Sequence, residues 1–203
     1  MSNLKDLQQL AEKRRSIYAL NDNLPVSNDE VVDLVEHAIL HTPSAFNSQS
    51  ARIVILFGDD HKKLWDITEE TLKVVVGDDE KFKGTKDKIA GFRAGAGTVL
   101  FFEAESVVRK MQENAPLYAD KFPIWAHQTN AMHQYVIWTA LASLDIGANL
   151  QHYNPIIDQR VTDAWNIAED WELNAQLVFG GIEQPAGDKE FQSVDERMKV
   201  FGA

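Results

Sequence analysis

The chain has 203 residues, 44% of them hydrophobic, which suits one domain with a real core and argues against a disordered chain. A formal net charge of −11 argues against a nucleic-acid backbone or an anionic lipid surface as partner. It leaves room for an anionic cofactor wherever a few cations converge in one cleft. With no cysteine, disulfides, thiolate nucleophiles and thiolate metal sites are excluded.

The N-terminus mixes charges from the start and lacks an apolar core, so no signal peptide is predicted. No apolar run approaches the roughly 20 residues of a membrane span, and the expectation is a soluble, cytoplasmic protein. Residues 3–15 are predicted helical from Leu4, Leu7, Leu10 and Ala11. A turn at Asn21–Pro25 precedes a capping box, Ser27-x-x-Glu30, and a helix with Val31, Leu34, Val35, Ala38 and Ile39 on its buried stripe. That helix must end before Pro43.

Arg52–Phe57 is an apolar run of the kind found in a strand covered on both faces. A helix over 60–76 follows, then a charged, loop-like stretch from Gly77 to Thr85. Thr98–Phe102 is a second buried strand, 104–113 a helix and Ala115–Phe122 an aromatic loop. The long helix from Ile124 to Leu144 is apolar on more than one face, which predicts a central or interfacial position. A short strand at Ile146–Leu150, a helix over 156–168 and a strand at Leu173–Phe179 closed by Gly180-Gly181 complete the alternation. This pattern favours α/β or α+β with a central sheet. The tail from Ile182 to Ala203 keeps Val194, Met198, Val200 and Phe201, and fits either a surface arm or a strand exchanged with a second subunit.

Two remote segments look like the ends of one flavin site. Arg14-Arg15-Ser16 offers two guanidinium forks and a hydroxyl for a phosphate, although the same residues also suit a solvated helix end. Pro43–Gln49 offers the amides of Asn47 and Gln49 to the polar edge of an isoalloxazine ring, or simply caps the preceding helix. Asn149–Pro155 lies between a strand and a helix, where backbone amides commonly face ligands. His152 there is a weaker candidate as a proton donor than as a backbone contact. Lys189 is either a second phosphate cation or a solvated lysine. His37 and His41 share a helix face at i,i+4, but no third ligand accompanies them and no metal is expected. No P-loop, nucleophile elbow or dinucleotide fingerprint is present.

Arg14-Arg15-Ser16, Pro43-Ser44-x-x-Asn47-Ser48-Gln49 and Gly180-Gly181 occur in the order seen in the FMN-dependent nitroreductase family, which the chain resembles over nearly its whole length. Asn149–Pro155 and Met132-His133-Gln134 are most similar to a short subgroup of bacterial nitroreductase-like and fungal stress-response proteins. The resemblance implies a single α+β domain over 1–203, with a central, mostly antiparallel sheet flanked by helices. It also implies an intertwined homodimer with FMN at the subunit interface and an arm of about 182–203 that can be exchanged.

By position, Arg14 and Ser16 would hold the phosphate, with Arg15 beside them and Lys189 assisting. Asn47 and Gln49 would meet the ring or the ribityl chain. Leu150, Gln151 and His152 would line the ring, one of their backbone amides near N5. Ser44 would approach from either subunit. No side chain is assigned as catalyst, because the flavin carries the chemistry. The implied activity is ping-pong oxidoreduction, NAD(P)H reducing FMN and FMN reducing a nitroaromatic, quinone or similar acceptor. One departure stands out: many members continue Asn-Ser-Gln with Pro-Trp, where this chain has Ser50-Ala51. That changes the expected pocket wall and motivates a second reading, a flavin-binding stress-response or regulatory protein with little turnover.

Overall fold

The computed structural model describes residues 3–203. Its frame is one sheet of five strands: β1 (Leu20–Asn21), β2 (Ala51–Phe57), β3 (Gly97–Ala104), β4 (Gly147–Gln151) and β5 (Trp171–Ile182). β5 pairs with β1, β3 and β4, β2 adds to β3, and every pairing is antiparallel. The helices are α1 (Asn3–Lys13), α2 (Asn28–His41), α3 (Gly58–Val76), α4 (Asp79–Arg93), α5 (Glu105–Asn114), α6 (Phe122–Ser143) and α7 (Asp158–Trp165). This is the α+β architecture expected.

Strand side chains alternate between two cores. Leu100, Phe102, Leu173 and Val178 pack with Leu64, Trp65, Ile89, Phe92 and Val161 of α3, α4 and α7. Val99, Phe101, Ala175, Leu177 and Phe179 pack with Val31, Val35, Ile137 and Leu141 of α2 and α6. With helices on both sides, β3 is buried along its whole length. Gly180 and Gly181 are needed because a Cβ at either would run into the carbonyl of Asn21 or Asn23.

Three expectations need correction. The charged stretch from Gly77 is not a loop beyond Asp78. The Asp78 side chain accepts from the N–H groups of Glu80 and Lys81, and α4 starts there, burying Phe82, Ile89 and Phe92. β2 is not covered on both faces: it is the sheet's edge, and only Leu56 in it is buried. The stripe of α2 is narrower than expected, Val31, Val35 and Ala38 being buried but Ile39 exposed; on α1, Leu4 and Leu7 are exposed. α6 is indeed apolar all round, with Ile137 and Leu141 inward and Met132, Tyr135 and Val136 facing outward. The tail beyond β5 runs as exposed coil with one turn at Val194–Glu196. No helix among the described residues is long and apolar enough to cross a membrane.

Candidate functional site

Past the end of α1, the chain is clamped onto the start of β4. Ser16 bridges Ala148 in parallel, the Ile17 N–H donates to the Ala148 carbonyl at 2.9 Å, and Asn149 Nδ2 donates to the Ile17 carbonyl at 2.8 Å. The tail crosses on the other side, where Arg15 Nη2 donates to the Gly187 carbonyl at 2.8 Å. Between them is an open cavity of about 550 Å³, lined by Arg14, Arg15, Ser16, Tyr18, Lys189 and one carboxylate, Asp188.

Arg14 is the informative residue. Its guanidinium lies 4.5 Å from the centroid of the Trp138 ring, and its Nε is buried without a hydrogen-bond partner. Among the described residues it forms no ion pair. A cation stacked on an indole, with a donor to spare and no carboxylate partner, suits an anion.

The second segment is built at the end of α2. Pro43 holds Thr42 extended, and a 3-10 turn at Ala45–Asn47 follows. Phe46, Asn47 and Gln49 all have positive φ, near 55°, 53° and 50°. Each such residue costs about 1–3 kcal/mol, and Phe tolerates it least. The loop offsets the cost with its contacts. Phe46 sits among Tyr118, Phe122 and Trp125, the Gln49 N–H donates to Ser44 Oγ at 3.0 Å, and Arg52 Nη1 donates to the carbonyls of Gln49 and Ala51 at 2.8 and 2.9 Å.

Two further hollows flank this loop. One, of about 150 Å³, is lined by Thr42, Ser44, Gln49, Arg52 and His133; the other, about 260 Å³ and mainly apolar, by Phe46, Trp125, Thr129 and Met132. His133 Nδ1 must carry its proton, because its partner at 3.0 Å is the Thr129 carbonyl. Burial holds this imidazole below its usual pKa, so it is neutral and Nε2 remains an acceptor.

At the end of β4, Leu150 is half-buried, Gln151 buried and His152 exposed. The side chain of Gln151 is already used, its Nε2 donating to Asn149 Oδ1 at 2.9 Å. It therefore stiffens the strand end rather than offering an amide outward. Asn47, by contrast, is exposed and its side-chain amide forms no hydrogen bond among the described residues.

The structure does not bring the two signature segments together within one chain. Arg14–Ser16 and Lys189 line one cavity, while Ser44 and Gln49 line another. The first is pinned by β4 and the tail, the second by α6 and β2. The sequence reading also missed Arg52 and Trp138 as parts of the site, and named His133 only within a motif. Arg52 could be seen as the charge opening β2, but not as the clamp on its own preceding turn. His37 and His41 are exposed, their rings 4.3 Å apart.

Residues 11–181 match the model of the nitroreductase family. The chain belongs to the nitroreductase family. Membership makes it an oxidoreductase. It is similar to the nitroreductase CinD of Lactococcus lactis, whose complex with nicotinic acid is 45% identical with a TM-score of 0.91, covering 97% of this chain and 100% of that one. The same protein in complex with 4-nitrophenol superposes with a TM-score of 0.88. The nitroreductase FRM2 of Saccharomyces cerevisiae is 37% identical over 169 residues, 82% of this chain and 83% of the yeast protein. A Desulfovibrio desulfuricans protein in complex with FMN, 21% identical over 97% of this chain and 98% of its own, shares the nitroreductase fold with a TM-score of 0.69.

Proposed function

We propose that this nitroreductase binds FMN between two copies of the chain and uses it to pass electrons from NAD(P)H to a small aromatic or quinone-like acceptor. The observation that carries the reading is Arg14, a stacked, unpaired cation with an orphaned buried donor beside Ser16 and Lys189. Such a group fits a terminal phosphate, and the donor set of the cavity fits the remaining oxygens. When bound, FMN supplies the electron-transfer chemistry, accepting two electrons from NAD(P)H and releasing them to an acceptor in alternating half-reactions.

The chain's own residues bind and orient. Arg14 and Ser16 hold the phosphate end, and Arg15 fixes the tail segment that carries Lys189 through the Gly187 carbonyl. Asn47 offers its uncommitted amide to the ring or ribityl chain, and the left-handed backbone at Asn47 and Gln49 keeps it turned outward. Backbone amides at the end of β4, from Leu150 to His152, are suited to the ring edge. Ser44 orders the loop by accepting the Gln49 N–H.

Because Arg14–Ser16 and Ser44–Gln49 line separate cavities, the complete site takes one segment from each of two chains. The bare apolar residues of α1 and α6, Leu4, Leu7, Met132, Tyr135 and Val136, and the half-covered β2 support such an interface. The exposed tail, with Phe191 and Phe201 bare, suits an arm laid on the second copy. 4-Nitrophenol, bound by the similar CinD, is the natural first acceptor to assay. The test is an anaerobic titration of FMN-loaded protein with NADH and with NADPH. Bleaching of the flavin band, reversed by 4-nitrophenol or a quinone, is expected. Loaded protein whose spectrum neither donor changes would refute the activity.

A further inference from the structure

At the end of β4, two buried side-chain amides serve the Arg14–Ser16 segment without lining its cavity. Asn149 is 0% exposed and Gln151 7%. A buried amide costs stability unless both of its ends are bonded. Asn149 Nδ2 donates to the Ile17 carbonyl at 2.8 Å, and its Oδ1 accepts from Gln151 Nε2 at 2.9 Å. A carbonyl can only accept, so Ile17 fixes the orientation of the Asn149 amide, and Asn149 fixes that of Gln151. The bond to Ile17 replaces a rung of the sheet. Ser16 and Ala148 form a single parallel bridge in which the Ile17 N–H reaches the Ala148 carbonyl. Peptide groups alternate sides along a strand, so the Leu150 N–H points the same way as the Ala148 carbonyl, away from β5. In a longer parallel ladder it would donate to the Ile17 carbonyl. Asn149 takes that carbonyl instead, and the chain turns away into β1. Among the described residues the Leu150 N–H has no acceptor outside the sheet ladder. The alternation continues past the strand. Gln176 of β5 is buried and stands opposite Gln151, and its Oε1 accepts the Tyr153 N–H at 2.7 Å. The odd-numbered amides are thus committed toward β5, and those of Leu150 and His152 face the other way.

We infer that Asn149 is a positioning residue for the flavin ring: its side chain holds the phosphate-binding segment against β4 without using the Leu150 N–H, which stays free to donate to the ring edge. One residue thereby serves both ends of the site within a single chain, the anion seat at Arg14–Ser16 and the outward amides beside it. At about 3.3 Å per strand residue, the Leu150 amide lies roughly 7 Å along β4 from the Ser16–Ala148 bridge. That span suits a ligand whose anionic group is joined by a short chain to a flat, hydrogen-bonding ring. An apolar residue at 149 would free the buried Ile17 carbonyl to capture the Leu150 N–H, because an unpaired buried carbonyl is costly. Gln151 keeps the Asn149 amide from turning, since among the described residues it supplies the only donor to Oδ1.

The inference rests on the FMN reading, and the experiment separates the two. Dissociation constants of FMN and of riboflavin, which lacks the phosphate, are measured by flavin fluorescence for wild-type, Arg14→Ala, Asn149→Ala and Gln151→Met. Amide hydrogen exchange is followed alongside in the FMN-free wild-type protein. There the Leu150 N–H is expected to exchange at least about tenfold faster than the Asn149 and Gln151 N–H groups that face β5. For Asn149→Ala, riboflavin affinity is expected to weaken about fivefold or more, while the preference for FMN over riboflavin changes less than about twofold. Arg14→Ala is expected to do the reverse, losing the preference and keeping the riboflavin affinity. A merely structural Asn149 would instead loosen the Arg14–Ser16 segment, and Asn149→Ala would then lose the FMN preference as Arg14→Ala does. That result would overturn this inference alone, as would a Leu150 N–H protected as well as its neighbours. Gln151→Met leaves Asn149 held at one end and is expected to weaken riboflavin binding by a smaller factor. Should Asn149→Ala not fold, unaltered riboflavin affinity in Gln151→Met would overturn the inference. Binding of neither flavin by wild-type would overturn the functional reading and this inference with it.

Discussion

Replacing Arg14 with alanine tests the phosphate seat. The guanidinium has no ion pair to lose, so the folded protein forfeits chiefly its stack on Trp138, worth about 0.5–1 kcal/mol. Thermal stability of the FMN-free protein should therefore fall only slightly. FMN binding should fall much further, because a charge-assisted hydrogen bond contributes about 1.5–3 kcal/mol. At about 1.4 kcal/mol per decade, that is roughly a 10- to 150-fold weaker dissociation constant. Arg14→Lys keeps the charge but loses the fork, and should lie between wild-type and Arg14→Ala. The assay is quenching of FMN fluorescence at fixed ionic strength. Unchanged affinity in a normally folded Arg14→Ala protein would refute the assignment.

Other outcomes follow from the same geometry. Asn47→Gly suits the left-handed backbone at φ 53°, so it should keep the wild-type melting temperature while weakening FMN binding; unaltered affinity would remove the Asn47 amide from the site. Val136→Glu puts a charge on the exposed face of α6 and should yield a monomer by light scattering that no longer retains FMN, whereas a flavin-loaded monomer would contradict a two-chain site. His61 is fully buried, and burial pushes its imidazole down to about 4 from 6.5. Its stabilising contribution is complete above about pH 6.5 and is lost as pH falls through about 4, on the order of 3 kcal/mol. His61→Gln should flatten that limb of the melting profile, and an identical limb would refute the cause. Burial and Glu172 push Asp158 up to about 6 from 3.8, and its Oδ1 has no partner. The sign is opposite here: the carboxyl is accommodated below about 3.8 and destabilises once pH rises past about 6. Asp158→Asn should raise the melting temperature near pH 8 but not near pH 3.5, and equal effects at both would count against it.

The sequence makes much of this molecule legible because each local signal agrees with the global fold. The Ser27–Glu30 capping box forms as expected, with the Ser27 N–H donating to Glu30 at 2.9 Å. The apolar run at 98–102 becomes the central buried strand, and α6 is apolar on faces a single chain leaves bare. The failures have physical causes. α4 was hidden because its charged first turn resembles a loop until Asp78 is seen capping it. β2 resembled a strand buried on both faces because its uncovered side is still apolar. The signature residues could be named, but not which cavity each lines, since that depends on β4, the tail and α6 meeting them in space.

Mixed dimers give the sharpest check on a flavin held between two chains. Arg14→Ala and a Ser44→Ala/Asn47→Ala double variant, each depleted of FMN when purified alone, would be combined by unfolding and refolding and their flavin content measured by absorbance. With Arg14 from one copy and Asn47 from the other, a mixed dimer holds one intact site and one site carrying every lesion, so tightly bound FMN should return. If both segments served the same chain's site, every site in the mixture would carry a lesion and no flavin would be recovered.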